Sequence, residues 1–345
     1  MAETATFESG REEAIHDFLA RVGWAGTSPL PLADDCSFRR YFRLVRNGER
    51  VVLMDAPPDL EDVRPFVIVA RRLAAMGYSA PEILAEDPER GFLLVEDFGD
   101  ATYTRALANG ADEAQLYRLA FDVLIDLHDR QIGEVVGEVP EYGEDKLLSE
   151  AAMFVDWYLR PGLELEISDA ARSDYIEAWR ACLPLLRGAP ETLVLRDYHV
   201  DNLIVLEGRD GHRACGLLDF QDAVIGPASY DLVSLLQDSR RDIPEAIVQP
   251  LLAAYLDRFE SKSNQDAFLR SYLAFGAQRA LKVFGIFTRQ SVLYGNHQYL
   301  THIPRLWRHT MADLSIPELA AVREWIETHV PEDRRLTPNP GGEVS

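Results

Sequence analysis

Two hydrophobic periodicities divide the chain. Up to about residue 98, short apolar runs alternate with turn residues, and beyond it apolar positions recur mainly at helical spacing. Ser9 is placed to cap a helix from Arg11 to about Val22, with Ile15, Phe18, Leu19 and Val22 on one face, and Ser28-Pro29-Leu30-Pro31 breaks it. Ser37–Val45 and Arg50–Asp55 are β-like and are joined by Arg46-Asn47-Gly48-Glu49, and Asn-Gly is a strong hairpin signal. Pro57-Pro58 ends the second strand. Leu60–Met76 reads as a helix with Val63, Phe66, Val67, Ala70 and Leu73 inward, stopped by Gly77. Ile83–Ala85 and Gly91–Val95 form another strand pair around Asp87-Pro88-Glu89-Arg90. Helical spacing then dominates Ala114–Asp129, Glu150–Leu159, Ser168–Leu186, Tyr230–Leu236, Ile247–Phe259, Ala267–Thr288 and the chain from Trp307. The pattern predicts an α+β fold of two lobes: a small β-rich one over 1–98 and a large helical one over 99–335, before a disordered tail at 336–345. Val95–Asp100 is the hinge, with backbone suited to hydrogen-bonding a flat heterocycle.

One stretch inside the helical half departs from helical spacing. From Leu193 to Asp222 two apolar runs, Leu203–Leu206 and Arg213–Leu218, flank the turn cluster Gly208-Arg209-Asp210-Gly211. A hairpin centred near 210–211 sets Asn202 opposite Asp219, and Asp197 stands on the loop that enters the first strand. Two carboxylates and an amide converging on one spot suit a hard cation such as Mg²⁺, which takes oxygen ligands and leaves positions for water and phosphate. The alternative is ordinary strand-end chemistry, because Asp and Asn also satisfy local backbone groups.

Composition narrows the choice of partner. The 345 residues carry 35 basic against 57 acidic side chains, a formal net charge of −22. That balance argues against nucleic acid or an anionic membrane as the main partner. No apolar run approaches the length that spans a bilayer, and no signal-peptide pattern opens the chain. Cys36, Cys182 and Cys215 lack the spacing of a disulfide framework or a zinc site, so they read as reduced thiols of a cytosolic protein.

With these motifs in place, the chain resembles the aminoglycoside phosphotransferase-like kinases, a branch of the protein-kinase-like fold. RDYHVDN is similar to that family's catalytic loop, with Arg196 where glycine is usual and Leu195 where histidine is usual. LLDFQDA is similar to its metal-binding motif, GPASYDLVSLL to the following helix start, and LLVEDFGD to its adenine-cradling hinge. The tracts SFRRYFRL, VVLMDAPP, MFVDWYL and QRALKVFGIFTR further resemble the anomeric amino-sugar kinases of bacterial cell-wall recycling. The resemblance implies an ATP- and Mg²⁺-dependent kinase that phosphorylates the C1 hydroxyl of N-acetylmuramic acid and N-acetylglucosamine. Asp197 is then the catalytic base, Asn202 and Asp219 hold the metal, Asp231 braces the loop, and Val95, Glu96, Asp97 and Phe98 receive the nucleotide.

The chain also departs from the kinase pattern. Met54 or Asp55 stands where the phosphate-binding lysine is expected, and the next helix offers only Glu61 as its partner. Arg39, Arg40 and Arg43 are candidates for the replacement cation, against a reading as solvated edge-strand charge. Asp222 serves either the metal or substrate, or caps the chain locally. The substrate pocket is expected near His199, Asp201, Asp156 and Trp157, with Gln278 and Arg279 opposite, and Arg279 suits the lactyl carboxylate of N-acetylmuramate. Trp157 and the Phe284–Phe287 pair also read as core, and His199 as loop packing. Rival functions are a kinase for an aminoglycoside, choline or homoserine acceptor, and a catalytically dead nucleotide-binding scaffold.

Overall fold

The hairpin read at Asn47-Gly48 is present in the computed structural model, which describes residues 2–32, 39–130, 133 and 139–339. Both turn residues take positive φ, +52° and +85°, as a two-residue turn matched to strand twist requires. Cys36 and the start of the SFRRYFRL tract lie outside the described residues, as do residues 340–345 of the expected tail. The chain divides into two units, one made of Met1–Asp112 with Val200–Asp222, the other of Glu113–His199 with Ala223–Ser345.

The first unit carries a five-stranded antiparallel sheet of β1 (Leu30–Pro31), β2 (Arg40–Arg46), β3 (Glu49–Asp55), β4 (Ile83–Asp87) and β5 (Phe92–Glu96), ordered β1-β2-β3-β5-β4. Ile15, Phe18 and Leu19 of the first helix pack on Leu44, Val51, Leu53, Phe92 and Leu94 of the sheet. The second helix runs Arg64–Ala75 and starts later than the periodicity suggests. Pro65 occupies its first turn, where a missing N–H costs nothing, and Asp62 accepts the Arg64 N–H at 3.0 Å.

The second hairpin also belongs to this unit. Its strands are Leu203–Val205 and Cys215–Leu217, with Leu203 opposite Leu217. This register differs by one residue from the expected pairing of Asn202 with Asp219. The connection is not a tight turn at 210–211 but a longer loop containing a 3₁₀ turn at Gly211–Ala214.

The second unit is mainly helical. Its helices are Glu113–Asp129, Glu144–Met153, Asp169–Leu186, Ser229–Leu236, Glu245–Leu256, Lys262–Tyr294, Ile303–Asp313 and Ala320–His329. A short sheet pairs Glu191–Val194 with Val224–Pro227. The 33-residue Lys262–Tyr294 helix is its spine and ends at Gly295, which adopts φ +67°. A Cβ on Gly285 of this helix would lie 2.4 Å from the Met153 carbonyl oxygen, so glycine permits the close approach there. The helix expected over Glu150–Leu159 instead ends at Met153 and continues as a π-helix over Phe154–Gly162. Leu336 of the expected tail accepts a hydrogen bond from the Tyr158 hydroxyl at 2.6 Å. Cys182 and Cys215 are buried and form no disulfide among the described residues. Among the described residues no helix is long and apolar enough to cross a membrane.

Candidate active site

In the second unit, Asp197 sits on a loop fixed from several sides. Its own N–H reaches the Leu195 carbonyl at 2.9 Å, and its carbonyl accepts the His199 N–H at 3.1 Å. The Leu195 and Arg196 N–H groups both donate to buried Asp231, at 2.6 and 2.8 Å. Tyr198 anchors the far side through its hydroxyl on the Ala120 carbonyl at 2.9 Å. Arg196 adopts φ +71°, a conformation that favours glycine. Its buried guanidinium pairs with Glu150, which also accepts the Tyr142 hydroxyl and lies 3.4 Å from the Lys282 ammonium. Desolvation by the packed surroundings works to raise the Asp197 pKa, but nearby positive charge, Lys282 foremost, holds it below the usual carboxylate range. Asp197 is therefore an ionised carboxylate at neutral pH, as a proton acceptor must be.

In the first unit, the mouth of the second hairpin brings Asn202 and Asp219 together despite the one-residue register difference. The Asn202 amide donates to Asp219 Oδ2 at 3.3 Å. Asp219 takes φ +56°, so its side chain does not follow the strand's alternation. Its Oδ1 accepts the Gln221 amide at 2.7 Å and lies 3.8 Å from the Arg39 guanidinium.

These two residues line a cavity of about 300 Å³ with Val52, Met54, Phe66, Val95, Ile204 and Leu218 as apolar walls. Asp97, Phe98, Asp100, Thr102 and Arg105 complete its rim. The Gly99 N–H is taken by Asp97 at 2.8 Å and that of Glu96 by the Glu82 carbonyl at 2.9 Å. The backbone N–H and C=O of Phe98 have no protein partner among the described residues. An apolar slot edged by a donor and an acceptor suits a flat heterocycle.

Comparison with known proteins gives the family of the chain. Residues 29–268 match the phosphotransferase enzyme family. The chain belongs to that family. It is 39% identical over 333 residues to the N-acetylmuramate/N-acetylglucosamine kinase of Pseudomonas aeruginosa, covering 91% of this chain and 93% of the relative. It is 34% identical to the kinase of the same name from Caulobacter vibrioides, over 96% of this chain and 99% of that one. Among solved structures it resembles the choline kinase LicA of Streptococcus pneumoniae, with TM-score 0.59, 12% identity and coverage of 88% of this chain and 99% of that one. It also resembles a choline/ethanolamine kinase family protein from Mesorhizobium loti, with TM-score 0.54, 14% identity and coverage of 91% and 99%. At such identities the likeness speaks for the fold alone, which is protein-kinase-like.

The remaining candidates of this phosphotransferase occupy distinct settings. In the first unit Arg43 grips Asp97 through Nε and Nη2 at 2.7 and 2.9 Å, and reaches Asp100 at 2.9 and 3.1 Å. Arg40 donates to buried Asp55 at 2.9 Å, and Arg11 holds the other oxygen of the same carboxylate at 2.8 Å. Both arginines are thus committed to carboxylates. Asp201 accepts the Thr104 hydroxyl, and Asp222 is exposed.

In the second unit Asp156 is held by Arg172 through two bonds of 2.7 Å, and Trp157 beside it is half-buried. Gln278 is fully buried and donates to the Leu147 carbonyl at 3.2 Å. His199 is buried, with Nε2 3.2 Å from Arg240 Nη1. Arginine can only donate, so Nε2 accepts and Nδ1 carries the proton. Burial, then Arg240, pushes His199 well below its ordinary pKa, so the ring is neutral. Its Nδ1–H is buried without a hydrogen-bond partner among the described residues. Arg279 is buried, makes no hydrogen bond among the described residues, and its charge acts on Asp197 and Asp231.

Glu150 and Lys282 were not singled out from the sequence. A trace of the signal exists, because Lys282 interrupts the otherwise apolar run Ala280–Phe284 within the QRALKVFGIFTR tract. Periodicity alone cannot tell a buried paired lysine from one reaching solvent.

Proposed function

We propose that this protein transfers the γ-phosphate of ATP to the C1 hydroxyl of N-acetylmuramic acid and N-acetylglucosamine, as in peptidoglycan recycling. The observation that carries the acceptor is the extent of the likeness: two relatives named N-acetylmuramate/N-acetylglucosamine kinase match over 91% and 96% of the chain. The geometry of the Asp197 loop and of the Asn202–Asp219 pair supports the phosphoryl chemistry.

Asp197 orients the acceptor hydroxyl and takes its proton as the new O–P bond forms and ADP leaves. An anomeric hydroxyl is more acidic than an ordinary alcohol, so a carboxylate of low pKa is a sufficient base. Asn202 and Asp219 offer one amide and one carboxylate oxygen, a small oxygen donor set that fits Mg²⁺, which keeps its other positions for water and phosphate. Bound there, Mg²⁺ would neutralise phosphate charge. Among the described residues no group of three or more His, Cys, Asp or Glu forms a fuller metal cage. Phe98 receives the base edge through its backbone, and Val52, Met54, Ile204 and Leu218 cover its faces. His199 Nδ1–H and Arg279 are the acceptor contacts, the arginine facing the lactyl carboxylate of N-acetylmuramic acid. Transfer of this kind depends mainly on positioning and charge neutralisation.

The test is ADP release across a panel of amino sugars, aminoglycosides, choline and homoserine, with the reducing end of each sugar product assayed. C1 transfer consumes the reducing end. Turnover of another acceptor with the amino sugars inert would overturn the reading. Asp197→Asn is expected to abolish turnover while ATP still binds, and retained turnover would remove Asp197 from the base role.

A further inference from the structure

The loop of the second hairpin reaches the hinge. The strands Leu203–Val205 and Cys215–Leu217 have Asn202 and Asp219 at their mouth, and Arg209 stands in the connection at the other end. The Arg209 guanidinium donates to the Ser79 hydroxyl at 2.8 Å and to the Glu96 carboxylate. Its central carbon also lies 5.2 Å from the centroid of the Phe98 ring, inside the range of a cation–π contact. One side chain from the hairpin thus holds two hinge residues, Glu96 and Phe98.

Backbone bonds tie the same hairpin to the chain on either side of the hinge. The Val205 N–H donates to the Ala101 carbonyl and the Leu217 N–H to the Ser79 carbonyl, each at 2.8 Å. The Ser79 hydroxyl donates to the Arg213 carbonyl at 2.7 Å, which leaves its oxygen to accept from Arg209. A Cβ on Gly216 would lie 3.0 Å from Phe98 Cδ2, so the hairpin backbone packs directly on the Phe98 ring. Arg209 does not line the nucleotide cavity. It lines a neighbouring cavity of about 610 Å³ that shares Pro81 and Glu96 with it.

We propose that Arg209 is a positioning residue for the nucleotide base: it fixes Glu96 and Phe98, and so sets the Phe98 backbone at the separation from Asn202 and Asp219 that one nucleotide spans. This rests on the phosphotransferase reading above. A nucleotide has a flat base at one end and phosphates at the other, so its affinity depends on the two binding places keeping a fixed separation. The main-chain bonds at Ser79 and Ala101 hold the flanks of the hinge, but among the described residues none runs from the hairpin to Glu96, Asp97 or Phe98. Arg209 supplies that link through its side chain. Arginine suits the place, because a guanidinium donates within its plane and lies against a ring with its face.

The test is binding of ATP and of adenosine to the full chain and its Arg209→Met and Arg209→Lys variants, with steady-state kinetics and melting temperature measured alongside. Arg209→Met keeps the length of the side chain and loses its charge and its donors. It is expected to weaken ATP and adenosine by the same factor, about 3- to 30-fold, the worth of a cation–π contact together with a charge-assisted hydrogen bond. KM for ATP should rise by that factor while kcat at saturating ATP stays unchanged. Arg209→Lys keeps a cation and should recover part of the affinity. In a Phe98→Leu background, which lacks the ring, Arg209→Met should cost less than it does alone. A lower melting temperature with unchanged adenosine affinity would make Arg209 a loop latch only and overturn the proposal. A fall in kcat with unchanged nucleotide affinity, or an undiminished cost beside Phe98→Leu, would overturn it as well. If the unaltered protein binds neither ATP nor adenosine, the phosphotransferase reading itself fails and this proposal with it, a result distinct from any of these.

Discussion

Asp231 grips the backbone of Arg196: its Oδ1 accepts the Arg196 N–H at 2.8 Å while its Oδ2 accepts that of Leu195 at 2.6 Å. Both carboxylate oxygens are used, which an amide cannot reproduce. In Asp231→Asn one N–H faces an NH₂ group inside the protein, and the residue before Asp197 loses its hold. A displacement of about 1 Å at a reacting group can cost on the order of 100-fold in rate. Asp231→Asn is therefore expected to lower kcat by about 10- to 100-fold with little change in KM for ATP. A variant with unaltered kcat would show that the loop is held without the brace.

The same residue has a pH signature. Burial pushes Asp231 up to about 7, against the lowering effect of the two N–H bonds and Arg279 and with the raising effect of Asp197. Its folded pKa thus lies above the ordinary aspartate value. Its contribution to stability is fully present below that ordinary value and is lost as pH rises through about 7. Melting temperatures of the unaltered protein and Asp231→Asn, measured from pH 4 to 8, should differ by an amount that changes across this window. A constant difference would show that Asp231 is already ionised throughout.

Arg196→Gly separates two opposed effects at one residue. Glycine relieves a φ of +71°, worth about 1–2 kcal/mol for a residue with a Cβ. It also leaves Glu150 without its arginine, and removing one member of a buried pair costs about 3–5 kcal/mol. Lys282, at 3.4 Å, still compensates part of the Glu150 charge. The expected net is destabilisation of about 1–3 kcal/mol, read by denaturant unfolding. A stabilised variant would mean that strain outweighs the ion pair, and that glycine at this place in the loop is the better choice.

The contrast between Arg196 and Asn47 shows what can be read from the chain and what cannot. Asn47-Gly48 announces its turn because the residue types that tolerate positive φ are there. Arg196 adopts positive φ without any such residue type, so the bend before Asp197 has no local sign. That Asn202 and Asp219 meet at one hairpin mouth was legible in their spacing, even though the hairpin pairs one residue away from the expected register. The division of labour among Arg39, Arg40 and Arg43 was not. Strand alternation separates Arg40 from the other two, but only tertiary placement sends Arg43 to Asp97 and Arg39 to Asp219. Glu150 and Lys282 are charged residues that meet inside the helical unit, where periodicity reports a face and not a partner.

In the proposed reaction Arg279, and not His199, would distinguish the two amino sugars. N-acetylmuramic acid carries a carboxylate that N-acetylglucosamine lacks. Arg279→Met removes a buried guanidinium that has no hydrogen-bond partner among the described residues, and it keeps the length of the side chain. A charge-assisted bond is worth about 1.5–3 kcal/mol, so KM for N-acetylmuramic acid should rise about 10- to 100-fold while that for N-acetylglucosamine changes little. His199→Phe removes the Nδ1–H and keeps a ring, and it should weaken both sugars to a similar degree. Equal losses for both sugars in Arg279→Met would take Arg279 away from the lactyl group.

Lys282 sets the charge state of Asp197 from within the core. Burial alone disfavours the Lys282 ammonium, yet Tyr230 at 3.3 Å, Glu150 at 3.4 Å and the field of Asp197 keep it protonated. In return it is the largest charge opposing the desolvation of Asp197. Asp197 has a depressed pKa, so it is ionised at and above the ordinary aspartate value and loses its charge only as pH falls through its lower one. Lys282→Met removes the opposing charge and keeps the volume, so the Asp197 pKa should rise. The acid limb of kcat/KM then moves to higher pH, while the rate above pH 8 changes little. Stability should fall as well, because Glu150 keeps Arg196 but loses its second cation. Lys282→Arg tests charge against shape: it should hold the limb near its original position if the guanidinium is accommodated. A Lys282→Met enzyme that melts earlier but shows an unmoved acid limb would leave Lys282 with a structural role alone.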